Sequence, residues 1–121
     1  MANKKSERIA DNLFVRDLEQ EKVFGIKDLK LYGYWEDNSS LNIVGQIVAD
    51  KLKSECCFIC SIYDHDGDVM ESCENEDYGS GLVSSMIHPE AFFNGFPFRF
   101  DLYSVKKKRV KAIKIVPADS Y

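Results

Sequence analysis

The residues of this chain whose types and spacing can do chemistry fall into four groups. The first is the run Asp64-His65-Asp66-Gly67-Asp68. Carboxylates at every second position are the oxygen donors a hard divalent cation takes. The register of a calcium loop fails, however. Counted from Asp64, the sixth position is Val69, where that loop needs glycine, and the twelfth is Asn75, where it needs a bidentate glutamate. On a hairpin tip alternate side chains splay to opposite faces unless a bulge intervenes. A solvated turn is therefore expected, with a weak cation site as the alternative.

The second group is the cysteines Cys56, Cys57, Cys60 and Cys73, to which His65 and His88 can be added as a zinc set. Cys57 and Cys60 have C-x-x-C spacing, but residues three apart on a strand face opposite sides, whereas zinc pairs converge on a knuckle. Cys56 and Cys60 share a face at a separation of about 13 Å. Buried, reduced thiols acting as small apolar residues are the expected state. The third group would join His65 or His88 to Ser84, Ser85 or a cysteine as a nucleophile pair. No nucleophile-elbow motif surrounds any of them, so no catalytic residue is assigned. The fourth is the basic run Lys106-Lys107-Lys108-Arg109 with Lys111 and Lys114. It reads as a solvated turn, or else as a contact for phosphate or for the acidic stretch Glu71, Glu74, Glu76 and Asp77 of a neighbouring subunit.

The elements that must position these residues are mostly strands. Leu29, Leu31, Gly33 and Trp35 alternate with Lys30, Tyr32 and Tyr34, which is the period of two of a half-buried strand. The cluster Glu36–Ser40 is a turn, and Leu41, Ile43, Gly45 and Ile47 begin a second strand that completes a hairpin. Residues 56–63 (CCFICSIY) are apolar on both faces and predict a central strand. Asp66-Gly67 predicts a two-residue type I′ turn, after which Asp68–Cys73 returns as a strand. Residues 74–81 read as a loop and Leu82–Ile87 as a strand. His88 to Gly95 reads as one helical turn. Phe96, Phe98, Phe100 and Leu102 mark the clearest core-facing strand, and Val110–Val116 the last one, ended by Pro117. Residues 11–27 fit either a short strand at Leu13–Val15 or a helix at Asp17–Lys22.

The composition, 45% hydrophobic and 30% charged, is that of an ordinary globular chain with one core. A net charge of −4 argues against a general nucleic-acid binder. No apolar run approaches the length of a membrane span. No apolar stretch follows the basic N-terminus, so a cytoplasmic location is expected, or an extracellular one if a leader has been removed.

Taken in order, Val44-Gly45-Gln46-Ile47, Ile62-Tyr63-Asp64-His65-Asp66-Gly67-Asp68-Val69, Ile87-His88-Pro89, FPFRFDL and Ile113–Pro117 resemble the FxLYD-like small immunoglobulin-type β-sandwich domains over residues 41–117. Those domains carry a V-x-G-x-I/V strand, an aromatic-Tyr-Asp-x-x-Gly hairpin and a late Phe-rich strand. The resemblance implies a commonly bacterial, often exported, interaction or accessory module, and it brings no catalytic residues. The chain departs from the pattern in lacking an export signal and in clustering cysteines in a central strand.

The expected fold is thus all-β, an antiparallel immunoglobulin-like sandwich of about seven strands with one short helical turn. Residues 1–27 form a partly ordered N-terminal segment and residues 28–121 a single domain. The expected function is non-enzymatic binding through protein contacts, without a cofactor, by a protein partner or by self-association through edge strands. The alternative is a small metal-binding protein using Asp64–Asp68 or the cluster Cys56, Cys57, Cys60 and Cys73. Among the aromatics Tyr32, Tyr34, Trp35, Phe92, Phe93, Phe96, Phe98 and Phe100, most are expected in the core. Tyr32 and Tyr34, with Tyr103, are candidates for an exposed contact patch.

Overall fold

The computed structural model describes residues 7–70, 82–103 and 105–119. Its strands are β1 (Glu7–Arg8), β2 (Phe14–Arg16), β3 (Asp28–Trp35), β4 (Leu41–Val48), β5 (Cys57–Asp64), β6 (Leu82–Val83), β7 (Phe96–Leu102) and β8 (Val110–Ala118), with one short helix, α1 (Leu18–Val23). They form two four-stranded sheets. Sheet I has the order β1-β3-β4-β7 and sheet II the order β2-β8-β5-β6. The protein is all-β in class.

The apolar period of two decides which face of each strand turns inward. In β4 the side chains of Leu41, Ile43 and Ile47 have no solvent exposure, and in β8 Ile113 and Ile115 have none. The two sheets meet through an apolar core that includes an aromatic stack. Phe98 of sheet I lies parallel to Phe58 of sheet II, with ring centroids 4.2 Å apart and planes 6° from each other. The Phe98 ring also covers its cross-strand neighbour Gly45, leaving no room for a Cβ there. Phe100 packs edge-on to Phe98 at 6.1 Å.

The hairpin β3–β4 is in register from Asp28↔Val48 to Trp35↔Leu41. Asp37 organises its turn: Oδ1 accepts from the backbone N–H groups of Ser39 and Ser40, each at 2.8 Å. Those bonds hold the Asp37 carboxyl below its ordinary pKa.

Residues 11–27 resolve their ambiguity by containing both elements. Phe14–Arg16 is a strand, and Asp17 then caps α1 by accepting from the Gln20 N–H at 3.0 Å. With the residues before it, this segment gives one strand to each sheet, β1 to sheet I and β2 to sheet II, and Ile9, Phe24 and Ile26 are buried in the core. Four further expectations need correction. β2 runs parallel to β8, against the antiparallel pattern of the other pairs, because the chain reaches sheet II by crossing over from sheet I. Pro117 does not end β8; it pairs with Phe58 and the strand continues to Ala118. Strand pairing in Leu82–Ile87 is confined to β6 and a single bridge between Ile87 and Cys56. In the expected return strand Asp68–Cys73, the described part makes only the bridge between Tyr63 and Val69, and residues 71–73 lie outside the described residues.

Candidate functional site

Sheet I has two edges, and they differ. β7 exposes an edge that carries Pro97, which has no N–H to offer, and the ion pair Arg99–Asp101 at 2.9 Å. Proline and charge are the usual guards of a free edge. The opposite edge is only partly covered. β1 pairs with the far end of β3, at Trp35 and Tyr34, and its last contact is the Ile9 N–H donating to the Gly33 carbonyl at 2.9 Å. The chain then turns through the 3-10 segment Asp11–Leu13 and leaves for sheet II.

That departure leaves the near half of β3 without a neighbour. Main-chain polar groups alternate in direction along a strand. Since the Gly33 carbonyl points to β1, those of Leu31 and Leu29 point the same way, away from β4. The Leu29 N–H is met by the Asp28 carboxylate at 2.9 Å. The Leu29 carbonyl and both polar groups of Leu31 open onto a groove of about 640 Å³. Inward-facing Leu29 and Leu31 line it together with outward-facing Lys30 and Tyr32 and with Val44 and Gln46 of β4, so it runs along the strand edge and continues onto the outer face of sheet I.

Charged groups frame the groove. At one end Arg8 stacks over the Tyr32 ring at 4.3 Å and binds Asp11 at 3.1 Å. At the other, Arg16 reaches Glu21 with two nitrogens, at 2.9 and 2.6 Å, and Asp28 with the third, at 3.0 Å. Glu21 is only 2% exposed and is the one buried residue of α1, whose apolar Leu18 and Val23 face solvent. Its carboxylate raises the Arg16 pKa further. Sequence patterning missed this pair, because a helix with its apolar residues outside and an acid inside inverts the amphipathic signal. The groove itself was also missed: Tyr32 was singled out as exposed, and it is 51% exposed, but nothing in the alternation of β3 reports where β1 stops.

The acidic turn departs from its expected geometry. Asp64 and Asp68 face each other (Asp64 N–H to Asp68 carbonyl, 2.9 Å), the Gly67 N–H donates to the Asp64 carbonyl at 3.0 Å, and Gly67 takes φ +86°. The loop therefore has three residues, His65, Asp66 and Gly67, with glycine in the left-handed position, not two. A register shift between Tyr63 and Asp64 leaves Lys111 of β8 as the extra residue, so the bulge lies in the neighbouring strand and not in the hairpin tip. Around the three-residue turn the Asp64, Asp66 and Asp68 carboxylates converge, with oxygens within 4.8 Å of one another. Asp64 is already engaged: Oδ1 accepts from the N–H groups of Asp66 and Asp68 at 2.9 and 3.0 Å, and Oδ2 from Arg109 at 3.1 Å.

Those bonds, the Asp68 N–H first, lower the Asp64 pKa from its ordinary value near 3.8. A depressed carboxyl pKa contributes stability that is present above the unfolded value and is lost as pH falls through the folded one. The melting temperature is thus expected to fall as pH drops below about 4, and Asp64→Asn is expected to flatten that fall. Melting curves between pH 5 and pH 2 check it; parallel slopes for the two proteins would rule the assignment out.

The cysteines serve packing. Cys56, Cys57 and Cys60 are buried free thiols. Desolvation pushes Cys56 up to about 11 and Cys60 up to about 12, and burial with the charge of Asp119 raises Cys57. Such thiols stay protonated and unreactive at neutral pH. Cys73 lies outside the described residues, as do Glu71, Glu74, Glu76 and Asp77. The basic run is partly engaged within the chain: Lys107 pairs with Glu7 and Arg109 with Asp64, while Lys106, Lys108 and Lys111 are exposed. Ser84 Oγ accepts from the Phe58 N–H at 2.8 Å and donates to the Ser85 carbonyl, while His88 Nδ1 lies 2.9 Å from Glu55, an exposed pair the sequence did not signal. Trp35, Phe98 and Phe100 are core residues and Tyr103 is exposed at 46%, as expected, whereas Phe93 is exposed at 57%.

Among the described residues no helix is long and apolar enough to cross a membrane. No family model matches the chain, and neither a curated protein nor a solved structure matches it.

Proposed function

We propose that this chain is a non-enzymatic binding module, an immunoglobulin-like sandwich of the FxLYD-like kind, that acts through protein contacts at a sheet edge. One observation carries the reading. The edge of β3 between the Asp28 cap and the Ile9–Gly33 bond offers main-chain donors and acceptors to a groove, while the other edge of the same sheet is guarded by Pro97 and by the Arg99–Asp101 pair. Unpaired strand edges bind extended chains by main-chain hydrogen bonding. His88 pairs with Glu55, Ser84 holds the Phe58 N–H, and the thiols of Cys56, Cys57 and Cys60 are buried, which favours binding over covalent chemistry.

A random-peptide display library panned on the protein, with Leu31→Pro as the counter-target, tests this. Proline there removes an edge-facing N–H without touching the β3–β4 ladder. Enrichment on the wild type that is absent on Leu31→Pro supports the reading, and equal enrichment on both overturns it. The second reading, a divalent cation at Asp64, Asp66 and Asp68, has the convergence of the three carboxylates in its favour. Millimolar calcium would then raise the melting temperature of the wild type and not of Asp66→Asn; an unchanged wild-type value excludes it.

A further inference from the structure

We infer that the open edge of β3 takes an extended peptide of alternating acidic and apolar residues, added antiparallel as a continuation of β1; this rests on the edge-binding reading above. The position such a peptide occupies is the one β1 vacates when the chain crosses to sheet II. Antiparallel addition there would let a single peptide residue exchange two hydrogen bonds with Leu31, and its neighbour two positions away would donate to the Leu29 carbonyl.

The side-chain pattern follows from the two faces of β3. Leu29 and Leu31 point inward, and Leu31 and Phe14 are only partly buried where they pack on the core. A peptide residue opposite Leu31 points the same way, so an apolar side chain there would finish covering that end of the core. The residues on either side of it lie opposite Lys30 and Tyr32 and point outward. Lys30 is exposed and has no ion-pair partner among the described residues. Above Tyr32 sits the Arg8 guanidinium, half exposed on the ring face. Both outward positions thus meet a cation, Lys30 without an ion pair among the described residues and Arg8 shared with Asp11 at 3.1 Å, although the chain as a whole carries a charge of −4. Opposite charges directly across a strand pair stabilise it, and like charges oppose it. The selected unit is acid–apolar–acid, with the acids beside Lys30 and Arg8 and the apolar residue against Leu31 and Phe14.

Fluorescence anisotropy with a labelled octapeptide of alternating glutamate and valine tests this on the intact chain. A lysine–valine peptide is the charge control. Two further probes carry N-methyl groups, one on the valines, whose N–H groups would face Leu29 and Leu31, and one on the glutamates, whose N–H groups would face solvent. The glutamate–valine peptide is expected to bind saturably. Affinity should drop about tenfold or more on valine N-methylation, and change little on glutamate N-methylation. Lys30→Glu, a change at an exposed position, should weaken glutamate–valine about fivefold and strengthen lysine–valine.

The outcomes separate the two levels of the claim. If both peptides bind equally and valine N-methylation abolishes both, the edge is a binding site but the acidic preference is overturned. If glutamate–valine binding survives valine N-methylation, or if neither peptide binds, the edge-binding reading falls with it. The N-methylated probes need no variant to fold, so the test holds even if Leu31→Pro does not.

Discussion

Replacing Gly45 by alanine is expected to destabilise the protein by about 2–3 kcal/mol, although it adds only one methyl group to a strand. The added Cβ would fall within the Phe98 ring, and that ring cannot retreat, because Phe58 stacks on its other face at 4.2 Å. Well-packed interiors accommodate extra volume only by forcing side chains off their rotamers. Phe58→Ala opens the opposite side of the same stack and is expected to cost about 3–5 kcal/mol, through lost burial and the cavity left behind. The two changes should not add. With Phe58 gone, Phe98 can tilt away from residue 45, so the double variant is expected to be more stable than the sum of the single losses by about 1 kcal/mol or more. Urea unfolding of the four proteins at one pH provides the cycle. Strict additivity would mean that Gly45 and Phe58 do not act on a common ring.

Glu21→Ala is the second large effect. It leaves Arg16 24% exposed and deprived of the carboxylate that holds two of its nitrogens. Removing one partner of a buried pair leaves an uncompensated charge, with a typical cost of about 3–5 kcal/mol. Asp28 still reaches Arg16 at 3.0 Å, so the lower end of that range, about 3 kcal/mol, is expected here. Glu21→Gln keeps the shape and one acceptor and should fall between the two. Chemical denaturation with an unchanged m-value reads both; a loss below about 0.5 kcal/mol for Glu21→Ala would show the pair to be a surface contact in energetic terms.

What was legible in the sequence follows from the physics that produced each element. β3, β4, β5, β7 and β8 were readable because each buries one face or both over seven or more residues, and a burial pattern that long leaves a clear period of two. β1, β2 and β6 have two or three residues each, too few for any period to show. They form because a longer strand offers an edge, which is a property of the assembled sheet. The carboxylates of the acidic turn converge because the loop closes over three residues, with a left-handed Gly67 and with Asp64 holding the Asp66 and Asp68 N–H groups, a loop length that the Asp66-Gly67 pair alone does not fix. The edge groove depends on where β1 stops. Of its parts only Tyr32 was marked in advance, and Arg8, Arg16 and Lys30 are unremarkable surface cations until the fold aligns them.

The parallel contact between β2 and β8 has a consequence for how the chain is made. Sheet II takes its edge strand from residues 14–16 and the strand beside it from residues 110–118. During synthesis Phe14–Arg16 must therefore wait without its partner until β8 has emerged from the ribosome, whereas the hairpin β3–β4 can close as soon as Val48 is made. Sheet II is completed late, and a nascent chain arrested before Val110 lacks the interior strand that holds β2 to β5.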